Sequence, residues 1–330
     1  MNSFSYSRAR DVAAAVDEVA LPERQAKFIA GGTNLLDLMK ENVMHPRHLV
    51  DITHLELNTI EDTLEGGLRL GALVTNADTA YHEQVDTRYP LLSKAILAGA
   101  SPQLRNMATN GGNLMQRTRC YYFYDTATPC NKREPGTGCS AIRGFNRIHA
   151  ILGTSEHCIA THPSDMCVAL AALEAKVHVR GPHGDRAIPF ADFHRLPGDT
   201  PELDNNLQPD ELITAIELPP QGFADHHSYL KLRDRTSYAF ALVSVAAALE
   251  LDGDTIREAR LALGGVAHKP WRDPEAEALL IGKSATRESF QLAAEKILQG
   301  AKGFPYNEFK IELARRAIVR AFEQALTNEK

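Results

Sequence analysis

Apolar positions change their period several times along this chain. Residues 27–30 (KFIA) make a short apolar run, Gly31 and Gly32 break it, and Leu35, Leu38 and Met39 then recur at helical spacing. That succession predicts a strand, a turn and a helix over 34–42. The same reasoning predicts strands at 48–52 and 67–73 and helices over 76–85 and 91–98. From 101 to 147 the periodicity is lost and Gly, Pro, Asn and Thr are frequent, so the stretch reads as a long functional loop. Regular structure is expected again at 148–152, then a helix over 164–174 and strands at 176–180 and 211–218. Pro219-Pro220 closes the last of these, and a domain boundary is expected between 219 and 227. Beyond it strands are predicted over 228–232, 239–251 and 257–263, then helices over 273–281, 287–298 and 308–326. Strands first and helices afterwards is an α+β pattern.

Composition narrows the class. With 330 residues, 44% of them hydrophobic, the chain is long enough for two or three domains with real cores. A net charge of -6 argues against nucleic acid or an anionic membrane as a general partner. The longest apolar stretch, 239–251, falls short of the roughly 18 residues a membrane span needs. No hydrophobic region follows Arg8 and Arg10, so an export signal is not expected. Five cysteines without such a signal suggest a reducing, cytoplasmic compartment.

The candidate chemistry lies in glycines and cysteines. Gly31-Gly32-Thr33-Asn34 sits between a strand and a helix, and Thr109-Asn110-Gly111-Gly112-Asn113 repeats the theme. Glycines let backbone amides approach an anion without a Cβ in the way, and a helix start adds its dipole. One Gly-Gly pair is first of all a tight turn. Two, both flanked by Thr and Asn, suit a pyrophosphate held from two sides. Asp165, behind a good N-cap in Ser164, fits either an acceptor for sugar hydroxyls or a helix-start charge. There is no G-x-G-x-x-G, and Glu277 stands where a P-loop ending at Gly282-Lys283-Ser284 needs glycine.

Cys120, Cys130, Cys139 and Cys158 are separated by nine, eight and eighteen residues. Cys167 falls on the apolar face of the helix over 164–174 and reads as a small core residue. Close C-x2-4-C pairs of structural zinc are absent, as is the C-x4-C-x2-C of plant-type two-iron sites. Spacing alone leaves zinc, disulfides and an all-cysteine [4Fe–4S] cluster open.

Four segments, in the order KFIAGGTNLLDLM, ATNGGNLMQ, THPSDM and YLKLRDRTSYAFALVSVAA, resemble the FAD-binding subunits of molybdenum hydroxylases, the xanthine dehydrogenase family. The likeness is nearest to the flavin subunits of bacterial heterotrimeric aldehyde oxidoreductases, and it weakens after about residue 270. The resemblance implies a two-part FAD-binding domain of the vanillyl-alcohol-oxidase type over 1–222, divided near 55. A small α+β C-terminal domain like that of CO dehydrogenase flavoproteins would follow over 223–330. It assigns FAD contacts to Lys27, Phe28, Ile29, Ala30, Gly31, Gly32, Thr33, Asn34, Thr109, Gly112, Asn113, Asp165, Ile213 and Lys231. Lys231 would stand near the isoalloxazine, although a strand lysine is more often simply exposed.

The stretch 117–158 resembles an insertion that holds an extra [4Fe–4S] cluster, with Cys120, Cys130, Cys139 and Cys158 as ligands. The implied activity is electron transfer within an aldehyde oxidoreductase. Its partners would be a large molybdenum-cofactor subunit, a small subunit with [2Fe–2S] clusters, and an external electron acceptor. A partner's twin-arginine signal would move the assembly to the periplasm. A purine or aromatic-CoA hydroxylase, a self-contained flavin reductase of the same fold, and a zinc-stabilised binding module are the alternative readings.

Overall fold

The first helix, Val12–Val19, begins where the Asp11 carboxylate accepts a hydrogen bond from the Ala14 amide at 2.8 Å. It connects Ser5–Arg8 to Ala26–Ile29, and both strands run parallel to the central His48–Asp51. Every residue of His48–Asp51 is buried, as a central parallel strand requires. The computed structural model describes residues 1–327. The last three residues of the expected C-terminal domain lie outside them.

A second, antiparallel sheet of five strands has the order Ile60–Asp62, Leu68–Gly71, Leu212–Leu218, Lys176–Gly181, Gly184–Pro189. The third sheet, also antiparallel, has the order Trp271–Arg272, Thr255–Gly264, Val243–Asp252, His227–Leu232. Between these two sheets lies the helix Asp165–Ala172, all eight of whose residues are buried. It shares a core with Leu68, Val177 and Ile216 of one sheet and with Ala246, Ala248 and Ala262 of the other. A helix covered on all sides needs apolar residues all round, so its sequence carries no stripe.

The opposite face of the third sheet presents Val243, Val245, Ala247 and Leu249, alternating with the first set at the period of a strand. Helices Arg287–Ile297 and Phe309–Thr327 cover that face, where the rings of Phe290 and Phe322 stack at 4.9 Å.

Several expectations need correction. The stretch 101–147 is not without regular structure, for it holds the short helices Pro102–Arg105, Asn110–Leu114, Tyr121–Tyr124 and Ser140–Arg143. Gly111 and Gly112 therefore sit inside a helix and not in a loop. No strand forms at 148–152. Its apolar residues are buried as coil, with the Ile151 and Leu152 amides both bonded to the Val266 carbonyl. The third sheet's long strand starts at Val243, not at 239. Ser5–Arg8, Ile60–Asp62, Gly184–Pro189 and Trp271–Arg272 were not anticipated, and all four are sheet edges with mostly solvent-facing or half-covered side chains. An edge strand without a buried face leaves little hydrophobic pattern to read.

One cation is buried where the C-terminal helix meets the middle of the chain. Lys310 is fully buried, and its ammonium donates to the carbonyls of His149, at 2.7 Å, and Gly265. Burial pushes its pKa down to about 7. An unfolded lysine keeps its proton to about pH 10.4, so from about pH 7 upward the unfolded chain binds more protons and stability rises with pH. Between about pH 7 and 8.5 this group adds at most about 2 kcal/mol, at 1.36 kcal/mol per pH unit for one proton. Lys310→Met should flatten that rise in paired unfolding curves; an unchanged slope would show that the ammonium is not the source.

Candidate functional site

The C-terminal end of Ala26–Ile29, the turn after it and the helix Leu35–Lys40 form one wall of a cleft of about 410 Å³. That is the size of a small-molecule site. The opposite walls come from Asn110–Leu114, the start of Leu212–Leu218 and the coil over 202–211.

The glycines in these walls do different jobs. A Cβ on Gly31 would lie 1.8 Å from the Met107 carbonyl oxygen, so this glycine lets two backbone segments touch. Gly32 has φ of +71°, and a Cβ there would meet Leu36 Cδ1 at 2.9 Å. Gly111 packs on Ala72 and Ile213. At Gly112 a Cβ would meet only Thr109 Oγ1, at 3.0 Å, and a longer side chain would project into the cleft. Gly31 and Gly32 are thus required first by packing and turn geometry, and only Gly112 keeps the cleft itself clear.

Polar groups face this space. Asn34 accepts from the Arg117 amide at 3.0 Å, while its buried Nδ2 has no partner. Lys27 and Arg117 both line the cleft, and burial together with the neighbouring guanidinium pushes the Lys27 pKa down. Unpaired amide donors and neighbouring cations suit an anionic group such as a diphosphate. The Arg117 Nε donates to Asp204 Oδ2 at 2.7 Å, and the buried Lys132 ammonium donates to Asp204 Oδ1 at 2.5 Å. Burial raises the Asp204 pKa, but Lys132 and then Arg117 outweigh it and hold the carboxyl well below its usual range.

Of the fourteen residues expected at FAD, Asn113, Asp165 and Lys231 do not line this cleft. Asn113 donates to Asn76 Oδ1 at 2.6 Å and accepts from Ser164, which caps the helix Asp165–Ala172. Asp165 and Lys231 form a buried ion pair at 2.7 Å. The other Asp165 oxygen accepts from Tyr229 at 2.7 Å, and Lys231 also donates to the Ala98 carbonyl at 3.0 Å. Lys231 is therefore not an exposed strand lysine.

Cys120, Cys130, Cys139 and Cys158 all line one small cavity, together with Thr118, Pro129 and Lys132. Cys130 and Cys139 face each other across an antiparallel bridge, locked where Asn131 exchanges two 2.7 Å hydrogen bonds with Gly138. Burial pushes the Cys120 thiol up to about 12 and Cys158 to about 11, and raises Cys139 as well. Thiols this weakly acidic are poor nucleophiles, and four cysteines around one cavity, three buried and Cys139 half-buried, suit metal ligation, in which the metal displaces the proton. His149 Nε2 lies 3.0 Å from Cys120 Sγ. Cys167 is elsewhere, fully buried in the helix between the sheets, with its thiol also pushed up to about 12 by burial.

Arg117, Lys132, Asp204 and His149 were not legible as site residues. Their partners lie 72 to 87 positions away for Asp204 and 29 for His149, and no local spacing signals such pairs.

The profile of the FAD binding domain in molybdopterin dehydrogenase matches residues 2–221, and that of the CO dehydrogenase flavoprotein C-terminal domain matches 227–325. The chain belongs to this family of FAD-binding subunits. The aldehyde oxidoreductase FAD-binding subunit PaoB of Escherichia coli K12 is 52% identical, covering 98% of this chain and 99% of that one. The glyceraldehyde dehydrogenase medium chain of Sulfolobus acidocaldarius is 29% identical, covering 89% and 86%. The solved carbon monoxide dehydrogenase of Hydrogenophaga pseudoflava superposes with a TM-score of 0.77 at 26% identity, over 99% of this chain and 98% of that one. The family is an α+β fold with an FAD-binding domain and a flavoprotein C-terminal domain, and FAD is its cofactor.

The glycine geometry separates two substitutions. Gly31→Ala should destabilise the chain by about 1–3 kcal/mol or more, because backbone must move. Gly112→Val should keep the melting temperature within a few degrees yet strip most bound flavin, read from the visible spectrum after desalting. Full flavin content in Gly112→Val would mean that the cofactor does not use this wall.

Proposed function

We propose that this chain is the FAD- and [4Fe–4S]-carrying subunit of a molybdenum-dependent aldehyde oxidoreductase. It would assemble with a large molybdenum-cofactor subunit and a small [2Fe–2S] subunit and pass their electrons to an external acceptor. The reading rests on the 52% identity, over nearly the full length of both chains, to an aldehyde oxidoreductase FAD-binding subunit. The cluster assignment is supported by four thiols around one cavity, three of them buried, and by the chemistry of all-cysteine iron–sulfur sites. We place the assembly in the cytoplasm unless a partner subunit carries an export signal.

Bound flavin supplies the electron exchange, and the protein supplies position and electrostatics. Lys27 and Arg117 bring positive charge to the cleft, where a diphosphate would lie. Asn34 offers its free Nδ2 as a further donor. Gly112 keeps its wall open, and Ile213 covers the apolar side. Lys132 holds a buried positive charge beside the four thiols, a charge that favours their anionic form and depresses the Cys158 pKa against the effect of burial. The chain contributes the electron exit and leaves aldehyde oxidation to the large subunit.

Co-expression with the two partner chains tests this. The purified assembly should reduce a dye with aldehydes, and this chain alone should not. This chain should carry one FAD and about four irons held by four thiolates. Cys139→Ala should lose the cluster or leave a labile three-iron form, visible by low-temperature EPR, whereas Cys167→Ser should keep full iron. A yellow, iron-free chain would remove the cluster from the reading. An assembly that oxidised purines and no aldehydes would overturn the substrate class.

A further inference from the structure

One group of donor atoms belongs neither to the cleft nor to the four-cysteine cavity. His162, Cys167 and His194 each present a ligand-type atom, and the three atoms lie within 4.8 Å of one another. They come from three places in the fold: the coil before the helix Asp165–Ala172, the first turn of that helix, and the residue after Phe190–Phe193. His162 is 9% exposed, His194 3% and Cys167 not at all.

The hydrogen bonds fix what the rings offer. His194 Nε2 lies 2.9 Å from the Leu114 carbonyl oxygen, which can only accept, so Nε2 carries the proton and Nδ1 is left with its lone pair. That Nδ1 is buried and has no partner, and neither has His162 Nε2. The two ring centroids lie 4.2 Å apart, the rings tilted by 50°, without a hydrogen bond between them. His268, from the C-terminal part of the chain, repeats the pattern. Its Nδ1 lies 2.9 Å from the Arg195 carbonyl, and its buried Nε2 is unpartnered. Backbone geometry brings it to the same region: the His162 amide donates to the Ala267 carbonyl at 3.0 Å, one residue before His268, and Arg195 directly follows His194.

A buried ring nitrogen left unpaired keeps its full desolvation penalty, so several together call for a shared partner such as a cation. An imidazole whose other nitrogen donates to a backbone carbonyl is also the usual arrangement of a metal-bound histidine. We propose that His162, Cys167 and His194 bind one divalent zinc-type cation, with His268 available as a further nitrogen donor. Two imidazoles and a thiolate are a borderline-soft set that suits Zn²⁺ and disfavours Mg²⁺ or Ca²⁺. The ion enters past His162, which also lines a small hollow next to Ser164 and Asp165. Binding releases the Cys167 proton to solvent. With His268 engaged, the ion ties the FAD-binding part of the chain to its C-terminal part.

The assignment is independent of the four-cysteine cavity, and metal analysis of the purified full chain separates the two. After incubation with one equivalent of zinc and desalting, the wild type should hold about one zinc per chain, and zinc should raise its melting temperature. Cys167→Ser and His194→Gln should each weaken zinc binding at least about tenfold, the scale of losses at a metal site, and abolish the thermal shift. Flavin and iron should be unchanged in both, and zinc should be retained in Cys139→Ala. Wild type without zinc and without a thermal shift would overturn the proposal and point to a bound water. Zinc retained by both Cys167→Ser and His194→Gln would likewise overturn it. Zinc lost from Cys139→Ala would move the ion to the four-cysteine cavity, against both this proposal and the cluster.

Discussion

The carboxylate of Asp204 is the interaction on which the two candidate cofactor sites jointly depend. One oxygen takes the guanidinium of Arg117, on the wall of the large cleft, and the other takes the ammonium of Lys132, at the four-cysteine cavity. The Lys132 side chain is 1% exposed, so its charge has almost no water to fall back on. Removing one partner of a buried pair costs about 3–5 kcal/mol, because the other is left uncompensated. Asp204 itself sits in coil between two elements. Its position is held by what it binds, since the Arg195 amide also bonds its carbonyl and the Arg117 guanidinium lies 4.8 Å over the ring of Phe123. The cleft wall, the coil over 202–211 and the cysteine-bearing stretch are therefore one electrostatic unit.

A second buried pair does the equivalent work between the antiparallel sheets. Asp165 opens the helix that both sheets cover, and Lys231 and Tyr229 reach it from the strand His227–Leu232. The helix start favours a negative charge there, and the lysine completes it. This arrangement joins the FAD-binding part of the chain to its C-terminal part through charge as well as through the alanine-rich contact of the sheet. Cys167, two positions after Asp165, faces the histidines instead, since residues two apart on a helix do not share a face.

Much of the fold was legible in the residues. Central strands such as Leu212–Leu218 and Val243–Asp252, and amphipathic helices such as Arg287–Ile297, carry their burial as a period in the sequence. The four edge strands were missed because an edge has no fully buried face to write into the pattern. The short helices between 101 and 147 were missed because each is about one turn, capped by Ser101 or Thr109 or not capped at all, and too brief to show a stripe.

The sequence by itself determined the family, through the two glycine stretches, the Asp165 segment and the order in which they occur. It also set Cys167 apart from the other four cysteines, because Cys167 falls on the apolar face of a helix whereas Cys120, Cys130 and Cys139 fall in the aperiodic stretch 101–147. The tertiary structure alone decided which glycine faces the cleft and which glycines serve packing, since that depends on Met107 and Leu36 standing where a Cβ would go. It alone brought Asp204 to Arg117 and Lys132, and His194 to His162 and Cys167. Local order along a chain follows from neighbours a few residues apart, whereas a buried charge or an imidazole finds its partner only after distant segments have packed.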